Sequence, residues 1–215
     1  LNAFRELRES GHLEIVATSA THAVLPLLMS HEALRAQISV AVENHRKHFG
    51  APPKGFWMPE CSFSPAVGEA LSAHAIAYTF VDTHGLLNGS RVPKHAIARP
   101  IRTPSGLAVF ARDPECSHQV WSAHHGYPGD PLYREFYRDL GYDGDFAYVR
   151  DYLHSDGVRR NIGIKHFRVT GNVDLSQKAP YDPAAAQWKA GEHAGDFLDK
   201  RRAQFAALRR ISDVH

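Results

Sequence analysis

The run Lys54-Gly55-Phe56-Trp57-Met58-Pro59-Glu60-Cys61-Ser62-Phe63-Ser64-Pro65 constrains this chain more than any other. Gly55 to Met58 is apolar and bulky, the composition of a short strand buried on both faces. Pro59 cannot donate to a sheet ladder and so marks the strand's end. Glu60 follows at once, which predicts its carboxylate at the C-terminal lip of that strand. Ser64-Pro65 then reads as an N-cap followed by proline at the first helical position. Strand, carboxylate, short loop and helix, in that order, is how an α/β barrel places reactive groups.

Two readings of Glu60 stand at this point. One is a solvated loop carboxylate. The other draws on Trp57, a flat ring that can lie under a sugar, and on Pro59, which stiffens the backbone aiming the carboxylate. A rigidly held carboxylate beside an aromatic platform suits glycosidic chemistry, where one carboxyl acts as nucleophile and another as acid/base.

The flanking sequence repeats the strand-then-polar pattern. Leu1, Phe4 and Leu7 predict a first helix ended by Gly11, and Leu13–Ala17 alternates as a strand leading to Thr18–His22. An amphipathic helix is predicted over His31–Phe49 with Gly50 beyond it, and another from Pro65 to about His74. Ile76–Val81 reads as a further strand, ended by Asp82-Thr83-His84. Three strands thus deliver His22, Glu60, Asp82 and His84 at one end, as a barrel mouth would, and alternating strands and helices imply a parallel sheet. His22 reads either as a loop histidine bonding backbone or as part of a site. Asp82, His84 and His22 also invite a metal reading, but their spacing is loose, and we expect no metal.

Beyond Gly85, Ile97–Arg102 and Leu107–Ala111 predict a hairpin across Thr103-Pro104-Ser105-Gly106. The segment from Pro114 to Pro131 reads as a long loop carrying Trp121 and Tyr127, the latter between Gly126 and Gly129; Trp121 is either tucked into a core or presented for binding. Leu132–Leu140 has Tyr133, Phe136, Tyr137 and Leu140 at helical spacing, and Tyr142–His154 reads as an aperiodic insertion. Gly163–Thr170 reads as a strand with Arg168 near its end, able to bond a sugar hydroxyl or a buried carboxylate. A long helix, capped by Asp182 and opened by Pro183, closes the chain to about Ile211.

Bulk properties exclude several classes. A net charge of +2 gives no reason to expect nucleic acid or an anionic membrane as partner. No apolar run approaches the ~20 residues that span a bilayer. Cys61 and Cys116 form no disulfide framework, so a cytoplasmic location is predicted. Cys61 has no histidine partner specified nearby and is a weak candidate nucleophile.

Gly55-Phe56-Trp57-Met58-Pro59-Glu60-Cys61 resembles the nucleophile motif of glycoside hydrolase family 57, in particular its 1,4-α-glucan branching enzymes. Ala20-Thr21-His22-Ala23-Val24-Leu25-Pro26-Leu27-Leu28 looks like the preceding family motif. The stretches Phe110–Ser122, Gly126–Asp139 and Gly163–Gly171 are similar to the branching subgroup and occur in its order. The resemblance implies an α/β fold, part of an incomplete (β/α)7 barrel of the glycoside hydrolase/deacetylase type, with residues 1–215 forming its central part. It implies retaining transglycosylation on an α-1,4-glucan with Glu60 as nucleophile, Tyr127 on a supporting lid, and no cofactor. His22, Trp57, His84, Arg112, Trp121 and Arg168 are implied to bind substrate. The family's acid/base aspartate has no matching motif here, and Leu1 opens the chain inside a helix without an initiator methionine; both predict a segment of a longer protein, inactive alone. A family 57 α-amylase or 4-α-glucanotransferase, and a non-catalytic glucan-binding remnant, are the other expectations.

Overall fold

A computed structural model describes residues 1–212. They form two compact units, residues 1–114 and the described residues from 115 onward.

The first unit is an α/β layer. Helix α1 (Asn2–Glu9) precedes β1 (Ala17–Thr18), α2 (His31–Phe49), β2 (Gly55–Trp57), α3 (Pro65–Ala73), β3 (Tyr78–Val81) and α4 (Thr83–Leu87). Strands β4 (Ile101–Arg102) and β5 (Ala108–Ala111) follow as the predicted hairpin. The five strands make one open sheet in the order β1-β2-β3-β5-β4. All neighbours are parallel except β4, which pairs antiparallel with β5 at the edge. The fold class read from the sequence is therefore present, as an open α/β sheet rather than a closed ring among the described residues.

Local chemistry sets the elements' limits. Ser30 accepts from the Ala33 N–H at the start of α2, and Gly50 ends it in the left-handed region at φ 75°. Ser64 caps α3 through the Val67 N–H with Pro65 at its first position. The strands are shorter than predicted. β1 begins at Ala17, because Leu13 to Val16 pairs with no neighbour, and β3 begins at Tyr78.

Alternation then divides the sheet. Phe56, Val81 and Val109 point to one face and join Leu34, Ile38 and Leu71 of α2 and α3 in the core; Phe56 and Ile38 are wholly buried. The other face carries Trp57, Phe80 and Phe110 side by side on adjacent strands, with ring centroids 6.0 and 6.1 Å apart. Tyr78 lies edge-on to Phe80 and Phe110 and covers Gly55. Its hydroxyl donates to Glu14 at 2.7 Å, and burial together with that carboxylate pushes the phenol up to about 12. A methyl group at position 55 would collide with the Tyr78 ring. We expect Gly55→Ala to destabilise the unit by about 1–3 kcal/mol in chemical denaturation, the cost of overpacking; an unchanged midpoint would mean Tyr78 swings away freely.

The second unit departs from the sequence expectations. The predicted long loop begins with a helix, α5 (Pro114–Trp121), and has a single 3-10 turn at Tyr127–Gly129. The predicted helix over Leu132–Leu140 is absent. Phe136 and Tyr137 are 76% and 77% exposed, so their helical spacing builds no apolar stripe. The segment runs extended instead, with the Glu135 N–H donating to Phe167 O at 2.9 Å and Val169 N–H to Tyr133 O at 2.7 Å. Gly163–Thr170 is likewise no barrel strand; it makes isolated bridges, Arg134 with Arg168 and Phe167 with Pro180. Two short helices, α6 (Leu140–Asp143) and α7 (Phe146–Val149), occupy the predicted insertion. Helix α8 (Pro183–Ser212) matches its prediction, with Asp182 accepting from the Ala184 and Ala185 N–H groups.

Candidate functional site

Because β1, β2, β3 and β5 are parallel, the residues after each strand emerge at the same edge of the first unit. In that order these are His22, Glu60, Asp82 with His84, and Arg112. In open α/β sheets ligands sit outside the carboxyl ends of the strands, which makes this edge the candidate site.

Glu60 stands at the centre. It is exposed and sits in a 3-10 turn, Pro59–Cys61, with φ 56° and ψ 23°. Cys61 follows at φ 51°, so two successive residues with a Cβ occupy the left-handed region. Each costs about 1–2 kcal/mol relative to right-handed backbone. Strain of this kind persists only where the surroundings over-determine it, and it concentrates at functional positions. Here the Cys61 N–H donates to Met58 O at 2.9 Å, and Ser62 donates to Pro59 O through both its N–H and its hydroxyl, at 3.2 and 2.8 Å. Buried Pro59 and Cys61 anchor the turn while Glu60 is left outward.

The neighbouring loops are held as firmly. His22 is also left-handed at φ 57°, its N–H donating to Ser19 O, and its side chain is exposed. Gln37 of α2 staples this loop: its carbonyl accepts from the Thr21 N–H and its amide donates to the Thr21 hydroxyl, both at 3.0 Å. His84 lies exposed in the first turn of α4. The Arg112 guanidinium reaches Asp82 at 3.7 Å and the Cys61 sulfur at 3.8 Å, while its carbonyl accepts from the Thr83 hydroxyl at 2.6 Å. Trp57 is half-buried on the aromatic face and is the last residue of β2. The Thr18 hydroxyl, on the neighbouring strand beside Trp57, is buried without a hydrogen-bond partner. Among the described residues no group of three histidines, cysteines or carboxylates could hold a metal ion.

The remaining predicted residues belong to the second unit. Trp121 ends α5 and is 81% exposed, so it is not tucked into a core. Tyr127 stacks on His193 of α8 at 4.5 Å, and its hydroxyl donates to Asp196 at 2.6 Å. Burial and that carboxylate push the Tyr127 phenol up to about 12. Both lie on a groove of about 1550 Å³ shared with Tyr133, Phe136, Tyr137 and Phe197. Arg168 is partly buried, and its Nε finds no hydrogen-bond partner.

Several of these residues had no distinct signal in the sequence. Phe80 and Phe110 were legible only as strand residues; the period-2 pattern Tyr78-x-Phe80 and the homologous place of Phe110 would have found the aromatic row. Gln37, His193 and Asp196 sit mid-helix among ordinary polar positions, and nothing local marks them.

The fold and the edge together define a class: an α/β protein with a strained carboxylate at the carboxyl end of a buried parallel strand, beside an aromatic row. The model of glycosyl hydrolase family 57 matches residues 1–155, and the chain belongs to that family. A 1,4-alpha-glucan branching enzyme of Thermococcus kodakarensis is 34% identical over 92% of this chain and 30% of its own length. A probable 1,4-alpha-glucan branching enzyme of Mycobacterium tuberculosis is 33% identical over 91% of this chain and 32% of its own. The chain thus spans about a third of the curated relatives it matches. Among solved structures, the alpha-amylase AmyC of Thermotoga maritima is 47% identical with a TM-score of 0.85, over 98% of this chain and 41% of that one. The family 57-type branching enzyme of Pyrococcus horikoshii is 34% identical with a TM-score of 0.76, over 97% and 38%. No described helix is long and apolar enough to cross a membrane.

Proposed function

We propose that this chain carries the nucleophile of a retaining enzyme acting on α-1,4-glucan, and that the enzyme is a 1,4-α-glucan branching enzyme. The observation carrying this reading is Glu60 itself: a carboxylate in a strained left-handed turn at the carboxyl end of a buried strand, three residues after Trp57. Its carboxylate attacks the anomeric carbon of a glucan as the glycosidic oxygen leaves with a proton from a second carboxyl, which retention requires at about 5–5.5 Å. That acid/base is an aspartate outside the motifs of this chain. The 6-hydroxyl of another glucose, giving its proton to that same acid/base carboxylate, then attacks the anomeric carbon of the glycosyl-enzyme and releases Glu60, making an α-1,6 branch. Around Glu60, Trp57 offers a stacking face, His22 and His84 offer ring nitrogens to sugar hydroxyls, and Arg112 completes the rim. On the second unit, taken by itself, Trp121, Tyr127 and Arg168 are our candidates for holding glucan.

A second reading, α-amylase, draws support from the 47% identity to AmyC. Hydrolysis and branching share the first step and differ in the acceptor. Incubating the intact enzyme with amylose separates them: branching predicts new α-1,6 linkages with little free maltose, hydrolysis the reverse. Neither product would overturn both.

A further inference from the structure

We infer that Arg112 is the positioning residue for the Glu60 carboxylate, acting through the Cys61 sulfur with Asp82 as its counter-charge; this rests on Glu60 being the nucleophile. Arg112 leaves the end of β5, and its N–H continues the ladder to Val81 O at 2.9 Å. Its carbonyl is tied to Thr83 on the next loop. From this fixed base the side chain turns back across the end of β3 and meets Cys61 after β2. One guanidinium nitrogen therefore touches the loops after two neighbouring strands, Asp82 at 3.7 Å and Cys61 at 3.8 Å.

Cys61 is the residue this contact secures. It is buried, directly follows Glu60, and shares its left-handed backbone. A turn with two such residues in succession relaxes toward ordinary dihedrals unless something outside it resists. The turn's own hydrogen bonds fix Met58–Ser62 locally, but only Cys61 among its side chains is tied to another strand's loop by a charged group. Asp82 keeps that charge compensated and the guanidinium planted between the loops. The side chain is 32% exposed, which suits a cation spent on the protein rather than one presented wholly to a ligand. Arginine has the length and planar fork for such a span, and lysine offers only a point charge.

The test is kinetic, on the intact enzyme. Arg112→Gln should lower kcat about 100-fold with KM held within about threefold, since a misplacement of ~1 Å at the reacting atom costs about that much. Arg112→Lys should recover part of the loss. Cys61→Ala should lower kcat in the same sense, and Arg112→Gln with Cys61→Ala should be no slower than Arg112→Gln alone, because both remove one contact. Asp82→Asn keeps the side chain's shape and should give a smaller loss on the same axis, which serves if Arg112→Gln does not fold. A rise in KM at constant kcat would make Arg112 a glucan contact and overturn the inference, as would additive losses in the double variant. Trapping with a fluorinated glycosyl donor separates the premise: a label on Glu60 that forms more slowly in the Arg112 variants supports both readings. A label elsewhere sinks the nucleophile assignment, whatever Arg112 does.

Discussion

Glu60→Gln in the intact enzyme should lower kcat by about 10⁴-fold or more while leaving amylose binding close to that of the parent. The amide keeps the shape and the turn but cannot form the glycosyl ester, so the first covalent step is lost and the stacking on Trp57 is not. Because Glu60 is exposed and no packing depends on it, stability should move by less than about 0.5 kcal/mol. Glu60→Gly sharpens the point. At φ 56° glycine removes the left-handed penalty, so this variant should be more stable by up to about 1 kcal/mol and equally inactive. Gain of stability with loss of turnover is the signature of a residue held in strain for its chemistry. Retained turnover in Glu60→Gln would end the nucleophile reading. Binding without turnover in the parent enzyme itself would point to a non-catalytic glucan-binding remnant.

What the sequence disclosed follows from where its signals are local. Helix α2 was legible to both ends because Ser30 and Gly50 act within one turn of the residues they cap. The turn at Thr103–Gly106 predicted its hairpin for the same reason: Thr103, Ser105 and Gly106 satisfy one another's polar groups inside the loop. Glu60 was legible because proline and the bulky strand before it fix the lip of the sheet. The second unit ahead of α8 was not, since its order comes from pairs distant in sequence. Glu135, with Lys178 at 2.6 Å, is buried by a partner on the other side of the 163–170 segment, and that pair overrides the helical spacing around it. The Arg112 contact with Cys61 was equally invisible, because it depends on β3 lying between β2 and β5, which no spacing within either strand reveals.

The largest stability effect should come from Asp139, whose side chain is wholly buried in the second unit. Burial alone would raise its pKa, but three backbone N–H donors outweigh that and hold it below the ordinary aspartate range: Ile162 and Gly141 at 2.9 Å and Gly163 at 3.0 Å. Lys165, at 3.8 Å, adds a weaker attraction. One carboxylate thus ties the start of α6 to a segment more than twenty residues later, where no regular ladder does so. Asp139→Ala leaves three donors without their acceptor and Lys165 without its charge, and should destabilise the unit by about 3–5 kcal/mol. Amide hydrogen exchange reads this locally: protection at Gly141, Ile162 and Gly163 should collapse together. The pH dependence follows from the depressed folded-state pKa. Asp139 stabilises fully above its unfolded value of about 3.9 and loses that contribution as pH falls through the lower folded value. The parent should therefore weaken across that acid window, while Asp139→Ala loses this component of its pH dependence. If Asp139→Asn matched the parent in both stability and pH profile, the negative charge would be irrelevant and hydrogen-bond geometry alone would hold the segment.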